Sequence, residues 1–290
     1  MASVKQRRSN SKLGMLLMLG AMFLFSAVDA QAKFLTSEYH PAQIIWFRQI
    51  GLFLGVIILL VMKGPVILNT RQPVLQLTRG GLAICSGLLF VYAVRHAALA
   101  DAIAVSFVAP FFLTILGALL LGEKVGTRRW SAVVVGFIGA MIIVRPGTGA
   151  VHPAVMLVLV AALAYALRQV IGRKLADTDK THTTVAYTAI IGTLLISLPM
   201  PVIWRTPESI THILLIISMA TMSAVAEVMV IKALEVAEAM VVAPIHYTLI
   251  IWGTIYGYLV FGQLPDLWTW IGTAIIVAAG LFTLRRSHRA

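Results

Sequence analysis

The stretch Ala98–Glu123, ALADAIAVSFVAPFFLTILGALLLGE, returns in altered form as Val236–Gln263, VAEAMVVAPIHYTLIIWGTIYGYLVFGQ. Each copy has an acid near its start (Asp101, Glu238), a proline inside (Pro110, Pro244) and a glycine followed by Glu123 or Gln263. Each continues to a tryptophan seven residues on (Trp130, Trp270) and an arginine fifteen beyond that (Arg145, Arg285). Parallel spacing over two long apolar stretches points to duplication, and duplication in a membrane chain is the commonest signature of a secondary transporter.

Hydrophobic residues make up 60% of the chain and charged residues 12%, too few to clothe a soluble domain of this size. The single cysteine, Cys85, excludes an intrachain disulfide, a cysteine metal site and a redox pair. A formal charge of +12 would suit nucleic acid. The placement of the Lys and Arg residues instead marks one face of a bilayer.

Residues 1–12 form a basic tail (Lys5, Arg7, Arg8, Lys12). Apolar spans follow at Leu13–Leu35, Pro41–Met62, Pro73–Arg95, Leu99–Leu121, Thr127–Val144, Pro153–Leu175, His182–Trp204, Ser209–Leu234, Ala239–Phe261 and Leu267–Leu284. Most reach the roughly 20 residues that a helix needs to cross the hydrocarbon, and unbroken runs argue against strands. The first span has a basic lead and an Ala30-Gln31-Ala32 site like those of signal peptides. Asp29 and the loss of an equal duplication weigh against that reading. With the amino terminus in the cytoplasm, that side receives the tail, Lys63, Arg71, Lys124, Arg128, Arg129, Arg173, Lys174, Lys180, Arg285, Arg286 and Arg289; the other receives Arg95, Arg145 and Arg205. The expectation is an all-α integral membrane protein of ten transmembrane helices. It divides into two five-helix repeats, 13–146 and 153–286. Five is odd, so the second repeat is inverted and both termini are cytoplasmic.

These features resemble the EamA type of the drug/metabolite transporter superfamily, with two five-helix repeats whose proline-bearing fourth helix closes in Gly-Glu or a variant. The stretches Ser26–Leu35, Ile44–Gln49, Leu77–Leu82 and Val241–Asp266 are similar to a bacterial branch that includes S-adenosylmethionine and riboflavin uptake proteins. The resemblance covers almost the whole chain and implies the fold and a transport activity at a bacterial inner membrane. The same framework carries amino acids, vitamins, nucleotide-like compounds and drugs in either direction. Gln263 departs from the usual Glu.

Each charge inside a membrane is costly, on the order of 3 kcal/mol on insertion scales, so such residues face the interior or find partners. Asp29 and Arg48 fall at similar depths and are expected to pair, either as a static tie or toward substrate. Arg168 and Glu227 are the corresponding candidates in the second half. Lys33 is read as snorkelling outward, Arg79 as a helix anchor or phosphate contact, and Lys232 with Glu235 as a local pair. Pro110 and Pro244 are expected to kink their helices and to serve gating, with His246 and Tyr247 presenting polar edges beside the second. Tyr92, Phe107, Tyr165, Tyr187, Tyr247 and Trp252 give enough aromatic surface to stack a planar ligand; ordinary packing is the alternative for each. Trp130, Trp204, Trp268 and Trp270 read as interfacial anchors. Gly51-x-x-x-Gly55 and Gly253-x-x-x-Gly257 permit close helix contact within the fold or between subunits, so monomer and homodimer both stay open.

The sequence holds no metalloprotease helix, nucleophile elbow, P-loop or metal cluster, and Asp177 and Asp179 read as solvated loop charges. No enzyme activity, cofactor or metal is expected, and no charged ring suggests a channel. The reading is an alternating-access carrier for a small organic metabolite, vitamin or nucleoside-like. Asp29, Glu227 and His246 are the groups through which protons could couple. An amino-acid or drug exporter is the alternative.

Overall fold

The computed structural model describes residues 11–123, 125–147, 152–237 and 239–286. Most of the basic tail, Lys124 and Glu238 lie outside the described residues, as does the Glu235 side chain expected beside Lys232. Among the described residues ten main helical segments, two of them broken, follow in order. They are α1 (Ser11–Leu35), α2 (Pro41–Lys63), α3 (Pro73–His96), α4 in two parts (Leu99–Ser106 and Ala109–Leu121) and α5 (Thr127–Val144). Then come α6 (Met156–Ala176), α7 (Thr181–Ser197), α8 (Ile210–Val236), α9 in parts (Ala239–Val242, a 3-10 turn Ala243–Tyr247, and Thr248–Phe261) and α10 (Leu267–Arg286). Seven of the described segments are by themselves long and apolar enough to span a bilayer. The seventh expected span ends early: α7 stops at Ser197 and a short helix, Met200–Ile203, follows Pro199. Proline cannot continue a helix without losing a hydrogen bond.

The two repeats interlock rather than stand side by side. The first helix of each half packs mainly on the third helix of the other, α1 on α8 and α6 on α3. Each first helix also packs on the closing part of the other half's fourth, α1 on α9 and α6 on α4. The second helices meet each other, α2 on α7, and the fifth meet as α5 on α10. This exchange of partners is what a two-fold relation between the halves requires. The α5–α10 crossing is set by Gly139 and Gly272, where a Cβ at Gly139 would fall 2.9 Å from the Gly272 carbonyl oxygen. Small residues allow such backbone approach where lipid offers no hydrophobic driving force between helices.

The repeated Gly-Glu/Gly-Gln ending is a helix stop. Gly122 (φ 67°) and Gly262 (φ 65°) both take the left-handed conformation. The next N–H closes the turn, from Glu123 to the Gly117 carbonyl at 3.2 Å and from Gln263 to Gly257 at 3.0 Å. This is the glycine C-cap geometry, in which a Cβ would be strained. The prolines act earlier in the same helices. Pro110 opens the second part of α4 after a break at Phe107 and Val108, and Pro244 lies within the 3-10 turn of α9.

At the face opposite the chain termini, Arg145 closes α5 and meets Asp266 at 2.5 Å. Asp266 accepts the Thr269 N–H at 2.8 Å at the start of α10, and the Thr269 hydroxyl donates to Asp101 at 2.9 Å. Lys33 does not snorkel outward: its Nζ donates to the Val94 carbonyl at 3.0 Å and to that of Ala97. The last carbonyls of α3 lack intrahelical partners, and a cation there also suits the helix dipole.

Candidate functional site

Two polar layers cross the interior, one toward each face. Toward the face opposite the termini, Arg48 on α2 reaches Asp29 on α1 at 3.5 Å and donates from Nε to the Ser223 hydroxyl on α8 at 3.0 Å. The guanidinium also lies 5.9 Å from the Phe25 ring. Asp29 is buried and Arg48 is half-buried, so the expected pair is present and keeps an exposed edge. Gln31 extends the layer by accepting from the Ser218 hydroxyl at 3.1 Å.

The second layer lies toward the terminal face. Arg79 on α3 donates to the Thr188 hydroxyl on α7. Gln49 donates to the Ala189 carbonyl at 3.3 Å, linking α2 to α7. Arg168 on α6 lies 4.9 Å from the ring of Tyr165. No ion pair joins Arg168 to Glu227 among the described residues, contrary to the sequence expectation. Their helices pack mainly on other partners, α6 on α3 and α4, α8 on α1 and α2. Arg168 and Glu227 are both charged neighbours of Arg79.

The broken helices meet between the layers. The Phe107 and Tyr247 rings are 4.9 Å apart, and His246 stands edge-on to Phe107 at 5.8 Å. The Tyr247 hydroxyl fills the notch left by Gly280 on α10. Trp252 on α9 packs edge-on against Phe23 at 5.1 Å, and its buried Nε1 has no hydrogen-bond partner among the described residues. The buried Ser26 hydroxyl is likewise unpartnered and faces Gly253 on the same helix. Two aromatic candidates fall elsewhere. Tyr92 lies against His96 near the end of α3, and Tyr187 donates to the Leu68 carbonyl at the terminal face. Sequence reasoning missed Ser223 and Thr188, and it gave Arg79 an anchoring role. Serine and threonine inside apolar spans are common packing residues, so only their arginine partners single them out.

Among the described residues there is no group of three or more His, Cys, Asp or Glu that could hold a metal ion. An apolar groove on α5 is lined by Val133, Phe137 and Met141.

The chain matches the EamA-like transporter family over residues 12–145 and again over residues 152–285. It is 30% identical to the S-adenosylmethionine uptake transporter of Rickettsia prowazekii over 271 residues, which cover 90% of each chain. It is 34% identical to the riboflavin transporter of Vibrio cholerae over 277 residues, 93% of this chain and 92% of the relative. It is 29% identical to the pseudopaline exporter CntI of Pseudomonas aeruginosa over 273 residues, 92% and 94% of the two chains. A solved structure described only as "Crystal structure of protein" superposes with a TM-score of 0.66 at 16% identity, over 96% of this chain and 99% of that one. That likeness bears on the fold alone.

Proposed function

The chain belongs to the EamA-like transporter family, and from that premise we propose that it carries a small organic metabolite, vitamin or nucleoside-like, across a bacterial inner membrane by alternating access. Both termini face the cytoplasm in this reading, as the sidedness of the Lys and Arg residues requires. The observation that carries it is the exchange of partners between the repeats. Interlocked halves related by a two-fold axis have two near-equivalent packings, one open to each side, with the substrate between them.

Asp29, Arg48, Phe107, Tyr165, Arg168, Glu227, His246, Tyr247 and Trp252 are the proposed substrate contacts, with Tyr92, near the end of α3, as a further candidate. The breaks at Pro110 and Pro244 are where α4 and α9 flex during the exchange. The likeness to S-adenosylmethionine and riboflavin carriers supports an aromatic, nitrogen-rich substrate, and the rings about the two breaks offer stacking surfaces. Substrate must bind the two facing states with comparable free energy, because strong preference for one would trap the cycle. Protons couple through Asp29, Glu227 or His246 in this scheme. Membership of a transporter family is compatible with the expected absence of enzymatic activity.

The test is uptake of radiolabelled S-adenosylmethionine, riboflavin and a mixed amino-acid set into proteoliposomes, with Asp29→Asn alongside. Saturable uptake of an aromatic metabolite, lost in the variant and driven by an imposed pH gradient, is expected. Equilibration that ignores the gradient would remove proton coupling. The exporter reading has one observation in its favour, the likeness to the pseudopaline exporter. Flux confined to the amino-acid set would favour it.

A further inference from the structure

The two polar layers are related by the repeat but are not chemically equivalent. Shifting by the 140 residues that separate Glu123 from Gln263 places Thr188 where Arg48 stands and Gln169 where Asp29 stands. The bond between α2 and α8 runs from Arg48 to Ser223, and its counterpart between α3 and α7 runs from Arg79 to Thr188. The arginine has changed sides, and the acid has become a neutral amide that donates to the Tyr165 hydroxyl at 3.4 Å. The first layer is therefore internally neutralised. The second is not.

Arg79 and Arg168 come together across the α3–α6 contact. A Cβ at Gly172, one turn beyond Arg168 on α6, would lie 3.4 Å from the Arg79 Nε. The Nε atoms of both arginines are buried without a hydrogen-bond partner, and neither guanidinium has an ion-pair partner among the described residues. The charges acting on Arg79 are Arg168 and Glu227, with the Tyr165 phenol beside them, so two cations face one acid. Arg79 is six residues inside α3, roughly 9 Å from its end at 1.5 Å per residue. An excess of positive charge at that depth is costly, and intramembrane ionisable residues commonly mark substrate pathways.

We propose that Arg79 and Arg168 form an anion subsite that takes the carboxylate or phosphate of the transported metabolite, with Thr188 fixing the Arg79 fork and Tyr165 backing Arg168. This deepens the carrier reading and rests on it. Guanidinium groups bind carboxylate and phosphate through paired N–H donors, which adds directionality to the positive charge that a lysine would also supply. The site sorts substrates by whether they carry an anion, while the aromatic residues at the helix breaks hold the planar part.

The test is equilibrium binding to the protein in nanodiscs, using two matched pairs: S-adenosylmethionine with its decarboxylated counterpart, and riboflavin 5′-phosphate with riboflavin. In at least one pair the anionic member binds roughly ten- to a hundredfold tighter to the unaltered protein, the range expected for a charge-assisted hydrogen bond. Arg168→Gln and Arg79→Gln each bring that ratio close to one while the partner lacking the anion still binds measurably, which also reports an intact fold. Should either variant lose both members, Arg79→Lys and Arg168→Lys decide: a restored preference supports the subsite, and its absence overturns it. Binding without preference in the unaltered protein overturns the subsite and leaves the carrier reading standing. Failure of all four compounds to bind overturns the subsite together with the vitamin- or nucleoside-like substrate, and leaves the exporter reading to the uptake assay. Nanodiscs with and without anionic lipid separate the two sources of phosphate. A preference indifferent to lipid charge supports a substrate site, and arginine effects seen only with anionic lipid make the pair a lipid anchor.

Discussion

The ring of Phe107 stands 4.9 Å from the ring of Tyr247, and the two residues occupy the same place in the two repeats, each fifteen residues before the glycine that ends its helix. Phe107 is buried and Tyr247 half-buried, each at the break in a proline-bearing helix. Replacing Phe107 by Ala should cost about 3–5 kcal/mol, as expected for a large ring removed from a packed site. A double-mutant cycle with Tyr247→Ala should show coupling of about 0.5–1.5 kcal/mol. Unfolding in mixed micelles would measure both, and strict additivity would mean the contact contributes nothing of its own.

The Asp29–Arg48 pair should behave unlike the Glu123–Arg173 pair at 2.8 Å, although both are ion pairs. Asp29→Asn or Arg48→Gln alone leaves a charge without its partner in an apolar setting and should cost about 3–5 kcal/mol. The double variant should recover much of that loss. Glu123→Ala or Arg173→Ala should change stability by less than about 1 kcal/mol, because both side chains are exposed. Thermal unfolding of the five variants and the unaltered protein in one detergent tests the contrast.

Within the motif Gly51-x-x-x-Gly55 the two glycines are not equal. A Cβ at Gly51 would overlap the Ala220 carbonyl of α8, whereas one at Gly55 would meet nothing within 4 Å. Gly51→Leu should therefore lower the melting temperature and the yield of folded protein, with overpacking costs of about 1–3 kcal/mol or more. Gly55→Leu should leave both unchanged. Equal sensitivity at both positions would point to Gly55 meeting a second subunit.

Asp179 lies outside the spans, in the turn between α6 and α7. Burial raises its carboxyl pKa, but hydrogen bonds from the Thr70 hydroxyl, the Arg71 N–H, Gln76 and Thr178 outweigh this and hold it below the usual carboxylate range. A folded value below the unfolded value of about 3.9 stabilises the folded state wherever the group is ionised. The contribution is full above the unfolded value and is lost as pH falls through the folded one. Asp179→Asn should thus lower the melting temperature at neutral pH, with the gap closing in strong acid. A gap that does not change with pH would mean that the loss is not one of charge.

Reporter fusions at the carboxyl terminus test the sidedness proposed for the chain. A fusion following Ala290 should be active only for a reporter that folds in the cytoplasm, and one placed between α5 and α6 only for a periplasmic reporter. The opposite pattern would invert the topology.

The membrane class, the ten crossings and the duplicated proline-bearing helix were legible in the sequence, because run length, charge sidedness and repeat spacing are one-dimensional properties. The Gly-Glu ending was visible as a pattern, and its left-handed cap explains why glycine stands there in both copies. Asp29 and Arg48 could be matched by depth alone, since their helices are neighbours in the chain. Depth also suggested Arg168 with Glu227, and there it failed. Which residues meet depends on which helices touch and on the rotation of each about its axis. Interlocked repeats send α6 to α3 and α8 to α1, so Arg168 is brought beside Arg79 and Arg48 beside Ser223. The same rotation decides that Gly51 meets a backbone while Gly55, one turn on, meets open space. Sequence fixes what each helix carries; only tertiary packing fixes what each side chain faces, because helix contacts between distant segments are set jointly by all ten helices.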